Sequence, residues 1–185
     1  MKKNNIAFTF ATAEVNPLGQ LFIMIVELLT GKLKLKKLYD EYLSEKRPPE
    51  YFWDDAVTKL KFTIKTNFKE GSYIPKKGKL IVIANHAFGV ADGVSICSVI
   101  SKVRQDYKMV THKVLRQADA VKDKILPIDF NETKEALLTN INTRKEAEKV
   151  LQNQGVIVLF PSGRIATKKN LNQYQILELK YIFSN

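Results

Sequence analysis

Residues 79–93, KLIVIANHAFGVADG, and residues 156–167, VIVLFPSGRIAT, decide how this chain folds. Each carries a short run of consecutive apolar residues. Such a run, without alternation, predicts a strand buried in a sheet. Each run then ends in a polar turn containing glycine. Between the two, strand and helix patterns alternate. Residues 107–111 and 125–130 read as strands, with Pro127 marking an edge or strand end. Residues 95–102, 113–121 and 133–154 read as helices. The last carries Ala136, Leu137, Ile141, Ala147, Val150 and Leu151, and Gly155 stops it. Residues 51–60 read as a short helix. Residues 61–68 read as a strand, because Phe62, Ile64, Thr66 and Phe68 alternate with polar neighbours. The alternation predicts an α/β fold, with a mixed, largely parallel sheet flanked by helices.

Upstream, residues 17–43 show helical spacing, with Leu21, Ile25, Leu28 and Leu29 on one side. Gly31 interrupts the run, and Lys32, Lys34, Lys36 and Lys37 follow. Two readings share this periodicity. One is a helix lying at a lipid interface with its lysines near anionic headgroups. The other is a helix packed on the domain with lysines as its wet face. Residues 44–50, SEKRPPE, break the helix, since Pro48 and Pro49 cannot continue it. The chain therefore divides into an N-terminal helical segment, residues 1–50, and an α/β domain, residues 51–185. The apolar run at residues 21–29 falls short of the roughly 20 residues that cross a bilayer. The apolar stretch at residues 6–10 is too short for a cleaved leader, whose core needs about 7–15.

The chain has 185 residues, one cysteine and two histidines. No intrachain disulfide can form, which fits a reducing compartment. Cys97 with His86 and His112 cannot complete a Cys/His zinc site, so no metal is expected. A formal net charge of +11 favours anionic partners such as a phospholipid surface or an acidic protein. The lysines are scattered and no recognition motif appears, so a nucleic-acid partner is not expected.

In open α/β sheets, ligands gather beyond the carboxyl ends of strands. His86 stands just past the first apolar run, and Asp92 follows six residues later across a turn bounded by Gly89 and Gly93. A carboxylate against an imidazole fixes its tautomer and stabilises the imidazolium formed when it takes a proton. Such a pair is equipped to act as a general base on a hydroxyl, and equally to form a structural hydrogen bond. Phe88 suits either an acyl channel or the core. His112 lacks an acid nearby in sequence and reads as a packing or surface residue. Cys97 reads as a small core residue.

Asn85-His86-x5-Asp92-Gly93 after a strand resembles the first block of the glycerolipid and lysophospholipid acyltransferase superfamily. The five-residue spacing with Phe88-Gly89 resembles its hemolysin-like, ornithine-lipid branch, a bacterial type, although Ala87 stands where proline is usual. Phe160-Pro161-Ser162-Gly163 resembles the third block, with Ser162 where the common enzymes carry Glu and Arg164 one position early. ILPIDF, with Asn142 and Arg144 beyond it, also resembles the branch. The resemblance implies an acyltransferase, peripheral at the cytoplasmic face of a membrane. It would move a fatty acyl group from acyl-CoA or acyl carrier protein to the hydroxyl of a lysolipid-type acceptor. His86 and Asp92 would be catalytic, and no cofactor beyond the acyl donor is implied. Asn85, Phe88, Gly89, Gly93, Pro161, Ser162, Gly163 and Arg164 would bind substrate, with Arg164 suited either to a phosphate or carboxylate or to a surface ion pair. Family domains continue further past the third block, so the resemblance implies a domain incomplete at its C-terminus. The apolar residues beyond Thr167 suffice for one short helix. The alternative function is a lipid-binding remnant that has lost catalysis.

Overall fold

The computed structural model describes residues 32–66, 74–161, 167–170 and 173–175. Helices α1 (Lys32–Ser44) and α2 (Phe52–Lys59) precede strand β1 (Leu80–Ile83) and helix α3 (Val90–Ser101). Strands β2 (Tyr107–His112) and β3 (Ile125–Ile128), helix α4 (Lys134–Gln152) and strand β4 (Val156–Leu159) follow. The four strands form one sheet in the order β1-β4-β2-β3, and every pairing is parallel. The α/β architecture is as the sequence predicts, but antiparallel pairing is confined to a separate two-stranded unit. That unit pairs β5 (Thr167–Asn170) with β6 (Gln173–Gln175). The apolar residues on which the expected short helix rests, at 171 and 176–183, lie outside the described residues. Thr167 and Tyr174 are residue types that favour extended backbone.

The chain returns after α4 to insert β4 between β1 and β2. On one sheet face, Tyr107, Met109, Val156 and Val158 pack beneath Tyr39 and Tyr42 of α1, Trp53 of α2, and Cys97 and Ile100 of α3. Trp53 Nε1–H donates to the Tyr107 hydroxyl within this layer, so the indole leaves no buried donor unpaired. On the other face, Val110, Leu126, Ile128 and Ile157 meet Ala147, Val150 and Leu151 of α4. Thr133 caps α4, its hydroxyl accepting from the Ala136 N–H at 3.1 Å. Helix α4 is also keyed to the edge strand by polar side chains. Asn140 accepts from the Asp129 N–H at 2.9 Å and donates to the Asp129 carbonyl at 2.8 Å. The Thr143 hydroxyl donates to the Pro127 carbonyl at 2.5 Å. These bonds satisfy backbone groups at the edge of the sheet.

Several sequence expectations change. Residues 62–66 are not a strand, and residues 67–68 lie outside the described residues. Lys61 turns left-handed at φ 57°, and the Phe62 N–H closes back on the Val57 carbonyl at 3.0 Å. The alternation instead lets Phe62 pack against the core without a ladder. Strand β1 is covered on one face only, since Ile81 and Ile83 on the other are exposed. Residues 113–121 contain a 3-10 turn at Lys113–Gln117 rather than an α-helix. Helix α3 begins at Val90, earlier than residue 95. Of the N-terminal helix, residues 17–31 lie outside the described residues. The described part packs through Tyr39 and Tyr42, and its Lys36 and Lys37 pair with Asp40 at 3.3 Å and Glu41 at 3.9 Å.

At the amino end of the sheet, Arg104 is 4% exposed and donates to the carbonyls of Pro75, Gly78 and Gln154. It also forms a two-pronged pair with Asp106 at 2.9 and 2.5 Å. Close by, Gln154 rather than Gly155 takes the left-handed position after α4, at φ 62°. Gly155 is required for space. A Cβ there would lie 2.7 Å from Val150 Cγ1 and 2.9 Å from the Val150 carbonyl oxygen. Gly155→Ala should therefore lower stability by about 1–3 kcal/mol, the usual cost of overpacking. Urea unfolding measures it, and an unchanged midpoint would contradict the packing argument.

Candidate active site

Because all four strands run parallel, their carboxyl ends lie along one edge. Strands β1 and β4 are neighbours paired in register from Leu80 with Val156 to Ile83 with Leu159. The turn after β1 therefore stands beside the residue that ends the second apolar run. The His86 ring lies 4.4 Å from the Phe160 ring, centroid to centroid, tilted by 32°. The two strand ends do meet, through these two rings.

Gly89 makes the turn possible. It caps α3 at φ 61°, ψ −118°, a backbone region that side-chain-bearing residues avoid. Asp92 consequently falls in the first turn of α3, where a carboxylate is favoured by the helix dipole. Its Oδ2 accepts the Phe88 N–H at 2.8 Å and stands 3.8 Å from His86 Nδ1. One carboxylate oxygen thus both locks the turn and faces the imidazole. Nδ1 is buried and has no hydrogen-bond partner at this separation. Burial pushes the His86 imidazole below its usual 6.5, and the Asp92 charge partly offsets the shift. The outcome is a neutral imidazole at neutral pH with an anion beside it.

The remaining sequence candidates fall in different places. Asn85 is exposed and Pro161 half-buried. Phe88 is 78% exposed, so it does not belong to the core. Gly93 is inside α3 rather than closing a turn, and it is buried beside Met109. Ser162, Gly163 and Arg164 lie outside the described residues. His112 Nδ1 accepts the Val114 N–H at 3.1 Å, and its ring stacks on Phe130 at 5.8 Å. Burial lowers its pKa as well. Lys113 Nζ, 2.6 Å from Asp129, holds that carboxyl below the ordinary carboxylate range. Cys97 is fully buried and its thiol is pushed up to about 12 by burial, which leaves it unreactive. Among the described residues no group of three His, Cys, Asp or Glu side chains is placed to hold a metal ion. A groove of about 460 Å³ between β1 and α4, lined in part by Ile81 and Leu151, lies at the opposite end of the sheet.

Two features of the site escaped the sequence reading. One is the turn-locking bond of Asp92, which is foreseen only if α3 is started at Val90. The other is the covering of His86 by Phe160, which depends on strand order.

A family model described as Acyltransferase matches residues 65–180, more than half of the chain. No curated protein and no solved structure matches it significantly.

Gly89 in the turn and Gly93 within α3 should respond oppositely to alanine. Gly89→Ala should cost about 1–3 kcal/mol, because alanine is strained at that φ and ψ. In Gly93→Ala the new Cβ would meet Met109 Sδ at 3.6 Å, an ordinary contact. Helical alanine is preferred to glycine, so this variant should be neutral or up to about 1 kcal/mol more stable. Thermal unfolding of both decides it, and equal losses would show that the turn is not held by Gly89.

Proposed function

The chain belongs to the acyltransferase family, and on that premise we propose that His86 is the general base of an acyl transfer. The observation that carries the proposal is a neutral imidazole at a strand end, shielded by Phe160 and faced by the Asp92 carboxylate. Nε2 takes the proton of an acceptor hydroxyl as its oxygen attacks the carbonyl carbon of an acyl thioester. The C–O bond forms, the C–S bond breaks, and the imidazolium returns its proton to the leaving thiolate. Asp92 stabilises the imidazolium in between. Its 3.8 Å separation from Nδ1 shortens by about 1 Å to make a hydrogen bond as charge develops, since such bonds tighten in the working complex. The products are an ester and a free thiol.

The donor is acyl-CoA or an acyl carrier protein, and the acceptor a lysolipid or lyso-ornithine lipid. The enzyme acts peripherally at the cytoplasmic face of a membrane, a setting that suits its +11 charge. Asn85, Phe88, Gly89, Gly93 and Pro161 are assigned to substrate binding, which is supported by their position on the segments that follow β1 and β4. Support for Ser162, Gly163 and Arg164 as acceptor ligands comes from the resemblance of their motif. One observation favours the alternative of lipid binding without transfer. Asp92 is already engaged by the Phe88 N–H, beyond hydrogen-bond reach of Nδ1.

Labelled acyl transfer to a panel of lysolipids tests both readings. His86→Ala should lower kcat/KM by about 10²–10⁴-fold with an unchanged melting curve. Activity should fall on the acid side as His86 becomes protonated, with an apparent pKa below 6.5. Asp92→Asn should lower the rate and move that limb to still lower pH, because the carboxylate raises the imidazole pKa. Undiminished transfer by His86→Ala would refute the mechanism.

A further inference from the structure

At rest the site is not assembled for proton transfer. His86 Nδ1 is buried without a hydrogen-bond partner, and the Asp92 carboxylate stands 3.8 Å away. Closure by about 1 Å would pair the two and remove the cost of a buried, unsatisfied polar atom. The two residues are held with unequal firmness. Asp92 belongs to α3, whose Gly93, Val94, Cys97 and Ile100 are buried. His86 belongs to the turn between β1 and α3. Where that turn begins, the Ala84 N–H donates to the Leu159 carbonyl at 3.2 Å. Where it ends, the Gly89 carbonyl accepts from the Asp92 and Gly93 N–H groups at 3.1 and 3.3 Å. In between, residues 85–87 have no hydrogen bond among the described residues. Phe88 has two: its N–H donates to Asp92 Oδ2 at 2.8 Å, and its carbonyl accepts from the Ala91 N–H at 3.4 Å. The side chain of the same residue is apolar and 78% exposed. Phe88 therefore joins an uncovered ring to a backbone N–H seated on the Asp92 carboxylate, within the stretch of chain that carries His86.

We propose that Phe88 is a positioning residue: an alkyl chain packing on its ring moves the turn and closes His86 onto Asp92. The proposal rests on the acyl-transfer reading for the source of that chain, the fatty acyl group of the thioester or of the acceptor. A ligand shifts an equilibrium only through contacts that differ between the two states. Here the differing contact is the Phe88 ring, open at rest and covered by the chain in the closed turn. Covering a phenylalanine side chain favours the closed turn by about 10–100-fold. Gly89 at φ 61° ends the moving stretch, so α3 and Asp92 stay in place. Readiness of the base thereby depends on a long chain being present.

Heteronuclear NMR of the full chain reads the His86 side chain directly. One probe is the dodecyl thioether of pantetheine, the arm that coenzyme A and the carrier protein share; it lacks the carbonyl and cannot react. The other is dodecylphosphocholine below its micelle concentration, which offers an acceptor's chain. In the free protein the Nδ1 proton should lack the downfield shift of a bond to carboxylate. One or both probes should produce that shift, and the probe that does so identifies the source. The His86 pKa should rise with it, because the carboxylate favours the imidazolium. Phe88→Ala should abolish the change, and Phe88→Leu should restore it. The position is exposed and keeps its N–H, so the melting curve should not move. If the alanine variant misfolds, Phe88→Ser serves. In transfer assays kcat should rise by about 10–100-fold from an acetyl to a dodecanoyl thioester, and Phe88→Ala should remove most of that gain. A downfield Nδ1 proton before any probe is added, none with either probe, or an equal change in Phe88→Ala overturns the proposal. So does an effect of Phe88→Ala confined to KM. If the unaltered chain transfers nothing, the acyl-transfer reading falls, while the spectra still decide the coupling through Phe88.

Discussion

Parallel pairing of β1 with β4 brings together two stretches of chain more than seventy residues apart. The partners run from Leu80 with Val156 to Ile83 with Leu159. Parallel strands cannot be joined by a hairpin, so the intervening chain must supply α3, two further strands and α4 before β4 can enter the sheet. Everything at the carboxyl edge depends on that late insertion. Among the described strands β1 pairs only with β4, so Phe160 reaches His86 only once β4 is in place.

The site follows from two opposing effects on one ring. Burial against Phe160 disfavours the charged imidazole, while Asp92 favours it, and burial is the larger of the two. A base must be neutral to accept a proton, yet it needs an anion close by once it has done so. The turn satisfies both requirements because the Asp92 carboxylate is committed first to the backbone. Its bond to the Phe88 N–H and its place in the first turn of α3 keep it aimed at the ring, without a full hydrogen bond to the resting imidazole. Gly89 bears the local strain, and Arg104 braces the far end of the same sheet through three carbonyls.

Much of this was legible in the amino-acid sequence, and the failures have physical causes. Periodicity located the four strands of the sheet and α4, since apolar runs of four or five residues and a long 3.6-residue pattern leave few alternatives. The His86–Asp92 spacing and its resemblance pointed to acyl transfer before any geometry was known. Alternation misled at residues 61–68, because a half-buried extended segment has the same pattern whether or not a ladder partner exists. The apolar run of β1 suggested two covered faces, but an outer strand lies beyond the reach of α4, which leaves Ile81 and Ile83 open. Gly93 reads as a turn residue because glycine at a helix start and glycine in a turn look alike in sequence. Polar keys such as Asn140 to Asp129 and Arg104 to Gln154 join residues distant in the chain, and no local pattern announces them.

The proposed chemistry needs a single property of His86, an imidazole held neutral by burial with the Asp92 carboxylate beside it. Titration of the His86 ring nitrogens by heteronuclear NMR reads that property without substrate, lipid or turnover. Its apparent pKa should lie below 6.5, and in Asp92→Asn it should fall further, because the opposing charge is gone. A value at or above 6.5, or one indifferent to Asp92, would contradict the arrangement of His86, Phe160 and Asp92 on which the mechanism rests.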